Sequence, residues 1–294
     1  MCLSLSLKDC IRKSLAAFLL IYALPSVSFS AGVLPLFDSH SHYKTDDAAI
    51  FSPEQILAIM DRENITHMVI VGEPPDRVQQ LYKVAPSRII PFLGLYESYK
   101  DKANWMHDPH LPHKLEQLLR EGHYRGIGEI HLFRKDRDNN NFQAILSLAD
   151  KYKLPVLFHG DAEVVDQIFK LFPEMTVIWA HLGTMPHPAL LTRMLRRYPD
   201  NLYIDTSVRD NMIMKVNRLS PEWSDFFIAH ADRILVGIDT FYTPRWKNID
   251  KVTRRIRDWL SFLPEPVAKK LAYENARKLF LGASPPAVTS EAGK

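Results

Sequence analysis

Eight short apolar runs, each followed by a segment with helical spacing, constrain this chain more than any other feature. The runs lie at 34–37, 66–71 (THMVIV), 89–95 (IIPFLGL), 125–130 (RGIGEI), 155–159 (PVLFH), 176–181 (TVIWAH), 202–205 (LYID) and 234–239 (ILVGID). Helices are expected between them at 53–63, 76–85, 114–121, 141–152, 162–172, 188–197 and 221–229, and at 248–262 and 274–280 after the last run. The first helix carries its own start signal, because Ser52 can cap it and Pro53 suits its first position. Apolar strands alternating with amphipathic helices build parallel sheets. Eight such units in about 260 residues match a (β/α)8 TIM barrel, an α/β fold. A doubly wound open sheet is the competitor, but no Gly-rich phosphate turn follows any of the runs.

The first thirty residues stand apart from this pattern. Lys8, Arg12 and Lys13 make a basic start, residues 15–24 form a short apolar run, and Ser28-Phe29-Ser30 is a small-x-small site before Ala31. That is the layout of a secretory signal peptide. The apolar run falls short of the roughly 20 residues a membrane helix requires, which disfavours a retained anchor. Both cysteines, Cys2 and Cys10, lie in this leader, so the mature protein is expected to have neither disulfides nor thiolate ligands. The expected organisation is a signal peptide at 1–30, one barrel domain at 31–284 and a flexible tail at 285–294, in an exported protein, periplasmic or secreted. Removing the leader takes away three basic groups and one acidic group, so the formal charge of +3 falls to +1. So neutral a chain has no global electrostatic attraction for nucleic acid or a membrane surface, which leaves a small molecule as the expected partner.

In a barrel of this kind chemistry sits at the carboxyl ends of the strands. Those ends carry His40 and His42, Glu129, His159, His181 and Asp239. His40 and His42 are two residues apart, and on a strand such residues face the same side. A His-x-His pair alone means little, since twelve histidines scattered at random would give about half a pair. Taken singly, His159 or His181 reads as a core or rim histidine and Asp239 as a helix cap. Six nitrogen and oxygen donors at matching depth read instead as a catalytic site for Zn²⁺ or a similar divalent ion.

The segments FDSHSHY, GIGEIH, LFHG, WAHLG, GIDT and ENARKLF resemble the amidohydrolase superfamily, in particular its amidohydrolase-related branch of barrel hydrolases and decarboxylases, over about residues 34–281. The resemblance implies that His40 and His42 are the strand-one metal ligands, His159 the strand-five ligand and Asp239 the strand-eight carboxylate. His181 matches a strand-six histidine that binds a second ion or polarises substrate. Many members carry a carboxylated lysine on strand four, where this chain has Glu129, similar to the bridging glutamate of the superfamily's metal-dependent deoxyribonucleases. One ion and two ions therefore both remain open.

The expected roles follow from the chemistry. A bound Zn²⁺ lowers the pKa of water to about 7. Asp239 is expected to act as general base and then acid, His181 to stabilise charge developing on the substrate, and Glu129 to bridge ions or orient water. His131, two residues past Glu129, is either a surface histidine or a substrate contact. Arg134, Lys135 and Arg137, then Arg209, then Arg245 and Lys247 follow strands four, seven and eight. Together they suggest an anionic substrate clamped by Arg134 or Arg245. Asp205 reads as a loop or capping group, His67 as the start of a strand on the stability face, and His107, His110 and His113 as members of a solvated loop. The leading expectation is a metal-dependent hydrolase of an ester, lactone or amide. A phosphodiesterase or nuclease, a non-oxidative decarboxylase and a non-catalytic metal-binding barrel are the alternatives.

Overall fold

Strands buried on both faces lose the usual apolar–polar alternation, and the runs at 89–93 and 156–160 behave this way. In the computed structural model, which describes residues 33–282, eight parallel strands stand side by side in chain order: β1 (Leu36–Lys44), β2 (Ile65–Glu73), β3 (Ile89–Leu93), β4 (Gly126–Leu132), β5 (Val156–Gly160), β6 (Val177–Trp179), β7 (Leu202–Asp205) and β8 (Ile234–Leu235). Two backbone hydrogen bonds draw the last strand's segment to the first: Ser39 N–H to Val236 O (2.9 Å) and Asp239 N–H to His40 O (2.5 Å). The expected (β/α)8 barrel is the architecture observed. The expected signal peptide, with both cysteines, and the expected tail at 285–294 lie outside the described residues. Among the described residues, no helix is long and apolar enough to cross a membrane.

Helices fill the connections much as their patterns predict. Pro188–Arg197 and Pro221–Ala229 coincide with the expected spans. Ser52 caps the helix Pro53–Arg62 by accepting from Gln55 N–H, and the Gln55 side chain returns a bond to Ser52 N–H. Other boundaries differ. The first strand runs through the histidine pair instead of ending before it. The helix expected from 114 begins at Leu111, so His113 is helical and not in the loop, although His107, His110 and His113 are all exposed. The run expected to continue to Asp239 is ladder-paired only at Ile234 and Leu235. The last helix begins earlier than expected, as a continuous helical run from Glu265 to Leu281 with a π segment at Lys270–Glu274. A hairpin of Met214–Lys215 with Arg218–Leu219 has no apolar run to announce it.

Alternate residues of the strands divide between two cores. Leu36, Met68, Ile70, Phe158 and Trp179 pack outward against the helices. Phe37, Val69, Phe92, Leu157, Ile178 and Leu235 fill the barrel interior. Phe280, from the terminal helical run, plugs the floor against Phe37 and Phe92, with ring centroids 5.8 and 5.9 Å away.

Two bulges then set what faces the barrel mouth. On β1, Asp38 pairs with Met68 but Ser41 pairs with Ile70, three steps against two. On β4, Ile127 pairs with Val156 but Ile130 pairs with Phe158, again three against two. Each extra residue reverses the parity of everything after it. Hence His40 and His42 share the interior side with Phe37, and Glu129 and His131 turn inward although Ile127 and Ile130 both pack outward. Gly128 makes the second bulge possible. Its φ is +136°, and a Cβ there would lie 2.2 Å from Leu157 O.

Candidate metal centre

Glu129 is the hub of the strand ends. Its Oε1 lies 2.9 Å from His159 Nδ1 and 3.0 Å from His181 Nε2. Its Oε2 lies 3.6 Å from His40 Nε2, 3.5 Å from His42 Nε2 and 3.4 Å from His131 Nε2. Asp239 joins the same two rings, with Oδ1 3.3 Å from His42 Nε2 and 3.8 Å from His40 Nε2. All six donors expected from the strand ends therefore meet in one place. With His131 and Asp205 they form three sets that could each hold an ion: His40, His42 and Asp239; His40, His181 and Asp205; and Glu129, His131 and His159.

The seventh strand supplies a residue that sequence reasoning passed over. Asp205, fully buried, is not merely a capping group. Its Oδ2 takes a hydrogen bond from His40 Nδ1 at 2.9 Å, and its Oδ1 accepts from His181 N–H at 3.1 Å, Ser207 N–H at 2.9 Å and Ser207 Oγ at 2.5 Å. A carboxylate can only accept, so His40 carries its proton on Nδ1. The same logic applies to His181, whose Nδ1 faces the Ser207 carbonyl at 3.3 Å and the Ser207 hydroxyl at 2.8 Å, the hydroxyl already donating to Asp205. Both rings then turn the lone pair of Nε2 toward Glu129. The available signal for Asp205 was its position at the carboxyl end of a strand, the same one that marked the other donors.

Acceptor facing acceptor at about 3 Å is repulsive unless a cation joins the pair. Glu129, Asp205 and Asp239 are all buried, and burial opposes their charge. The imidazoles overcome that cost: His40 and the hydrogen bonds from His159 and His181 hold Glu129 well below the ordinary carboxylate range, and His40 holds Asp239 and Asp205 below it. In turn, Asp205, Glu129 and Asp239 raise His40 well above its ordinary value against the effect of burial. Three ionised carboxylates converging on imidazoles make a pocket that demands positive charge.

A divalent ion fits that demand. Asp239 Oδ1 is buried and has no hydrogen-bond partner, which is costly unless it ligates something. His40 Nε2 and His42 Nε2 stand 3.3 Å apart. Two nitrogens bound to one tetrahedral ion at 2.0–2.1 Å would be about 3.4 Å apart. Two site residues also hold backbone conformations that side chains resist: His181 has φ 62° and Asp239 φ 57°. Such strain, of order 1–3 kcal/mol each, persists only where surrounding contacts over-determine it. Here Asp205 grips His181 N–H, and His40 O grips Asp239 N–H.

The three expected substrate contacts fare differently. His131 lies at the edge of the cluster, stacked on His159 with centroids 4.5 Å apart, and burial pushes it down to about 3, leaving it neutral. Tyr96 OH accepts from its backbone N–H at 3.0 Å. Arg134 is not brought in, because its side chain is 66% exposed and pairs with Glu163 at 3.3 Å. Arg245 donates to Ile238 O at 2.6 Å and lines a neighbouring pocket outside the cluster.

A family model described as amidohydrolase matches residues 37–281. Two solved structures described as probable 2-pyrone-4,6-dicarboxylic acid hydrolases share the fold. One, from Pseudomonas putida, superposes with a TM-score of 0.58 at 15% identity, over 86% of this chain and 99% of that one. The other, from Acinetobacter baumannii with citric acid bound, gives 0.55 at 15% identity, over 83% and 98%. Among curated proteins none matches.

Proposed function

Because the chain belongs to the amidohydrolase family, we propose that this hydrolase is metal-dependent and cleaves an ester, lactone or amide bond of a small anionic molecule. The observation that carries the proposal is the partnerless, buried Oδ1 of Asp239 beside the two Nε2 atoms of His40 and His42. His40, His42 and Asp239 would hold one ion, and Glu129, His159 and His181 would share that ion or hold a second. Zn²⁺ suits an all nitrogen and oxygen donor set, and it supplies Lewis acidity that polarises a carbonyl and acidifies water.

The chain's own groups then divide the work. Asp239, kept ionised, takes the proton of the attacking water and returns it to the leaving group. His181, held by Ser207 and Asp205, faces the substrate oxygen on which charge develops. Glu129 orients the water, and His131 contacts substrate at the edge of the cluster. The anionic character of the substrate is supported by Arg209, which follows strand seven and donates to His181 O at 2.8 Å, and the dicarboxylic acid named for both structural relatives is of the same kind. A phosphodiesterase is the second reading, favoured by Glu129, whose two oxygens face different histidines as a bridging carboxylate would.

Elemental analysis of protein expressed with ample metal is expected to find one or two divalent ions per chain, and finding none would reject the proposal. Ligands must be deprotonated to bind metal. Since the carboxylates of Asp205, Glu129 and Asp239 raise His40 above its ordinary value, protons compete with the ion for it, so acidification should release the ion. Activity of the loaded protein against lactones, N-acyl amino acids, phosphodiesters and unsaturated carboxylic acids separates hydrolase from phosphodiesterase and decarboxylase. Export is proposed from the basic and apolar leader. N-terminal sequencing of protein from the native host is expected to start near Ala31, and recovery of Met1 would overturn it.

A further inference from the structure

Beside the cluster lies a second concavity, of about 360 Å³, that none of the cluster's histidines or carboxylates lines. Its walls come from the segment after β7, which contributes Val208 and Asp210, and from the segment after β8, which contributes Tyr242 and Arg245. Lys251 and Arg255 complete it from the helix Ile249–Leu260.

The charges in this pocket are unbalanced. Elsewhere on the surface, cations sit against carboxylates, as Arg197 does on Asp166, Lys151 on Glu116 and Arg254 on Asp250. Arg245, Lys251 and Arg255 direct their hydrogen bonds to neutral groups, and Arg255 and Arg245 share the one carboxylate of the pocket, Asp210. Arg245 Nη2 donates to Ile238 O at 2.6 Å, Lys251 Nζ to Asn248 Oδ1 at 2.8 Å, and Arg255 Nη2 to Asn211 Oδ1 at 2.5 Å. Arg245 Nε is buried with no hydrogen-bond partner at all. Lys251 and Arg255 are four residues apart on one helix, a spacing at which like charges repel. The single carboxylate, Asp210, is engaged by the Trp259 indole at 2.9 Å and faces both Arg255 and Arg245, so one anion is set against three cations. Each cation has a neutral hydrogen-bond partner, Lys251 and Arg255 at the exposed rim and Arg245 deeper, where it also lies over the Phe241 ring at 5.8 Å. Three cations around a hollow with one carboxylate leave a positive excess that forms a receptor for an anion, since charge-assisted bonds from guanidinium and ammonium groups to oxyanions are the strong kind.

We propose that this pocket binds a small solute bearing carboxylate or phosphate oxygens, at a site separate from the histidine–carboxylate cluster. The test is calorimetric titration of the full-length protein with inorganic phosphate and, separately, with citrate, before and after metal removal by chelator. At least one probe is expected to saturate a single site, and whichever binds assigns the oxyanion as phosphate or carboxylate. The Lys251→Ala/Arg255→Ala variant should bind that probe at least tenfold more weakly while keeping the wild-type melting temperature. Failure of both probes to bind, undiminished affinity in the variant, or binding that disappears with the metal would each overturn the proposal. None of these readouts depends on hydrolysis, so failure of the hydrolase reading would be seen separately.

Discussion

Replacing Asp239 with asparagine is expected to leave the barrel folded and to cut turnover by about a hundredfold or more, the usual scale for a general acid–base group. The fold should survive because Asp239 closes the barrel through its backbone, whose N–H donates to His40 O at 2.5 Å. Its φ of 57° is one that asparagine also tolerates. Its side-chain Oδ1 contributes no hydrogen bond whose loss would be felt. What disappears is the proton acceptor, since an amide cannot take the proton of an attacking water. Steady-state kinetics on the substrate found by screening, with melting temperature and metal content as controls, measure this. Near-wild-type kcat in a folded, metal-loaded variant would remove Asp239 from the mechanism.

The second large effect is expected at Asp205. Changing it to alanine withdraws the carboxylate from His40 Nδ1, His181 N–H and both donors of Ser207. Carboxylates behind metal-binding histidines orient the ring and raise its basicity, and losing one typically lowers metal affinity by about 10–100-fold. The same change leaves buried donors without partners and uncouples a buried pair, so a stability loss of about 3–5 kcal/mol is expected. Asp205→Asn keeps the volume and can still accept one set of bonds, so it should be less destabilised while still binding metal more weakly. Denaturant unfolding and metal competition titrations read the two quantities. An Asp205→Ala protein with unchanged stability and metal affinity would show that the network is incidental.

Much of this was legible in the residues. Parallel strands covered on both sides must be apolar throughout, so Ile89–Leu93 and Val156–Phe158 announce themselves, and the helix caps at Ser52 and Pro188 are local chemistry that needs no partner. The donors His40, His42, Glu129, His159, His181 and Asp239 were visible because each follows an apolar run, and the structure brings them together. Asp205 shares that signal but was passed over, because its partners lie 24 and 165 residues away in the chain. Arg134 and Arg245 follow the right strands, yet one pairs with Glu163 on the surface and the other with a backbone carbonyl. Side chains that long go wherever the nearest acceptor lies.

The order of the strands, the end of the barrel expected to carry chemistry and the residues that gather there were all legible in the sequence alone, because they rest on local periodicity and on a topology that few connections permit. Which side of each strand those donors face was decided only in the folded barrel. The bulges on β1 and β4 reverse side-chain parity, and a bulge is a register mismatch between two strands that neither strand encodes alone. The same holds for the proton positions on His40 and His181, which are dictated by Asp205 and Ser207 arriving from the seventh strand.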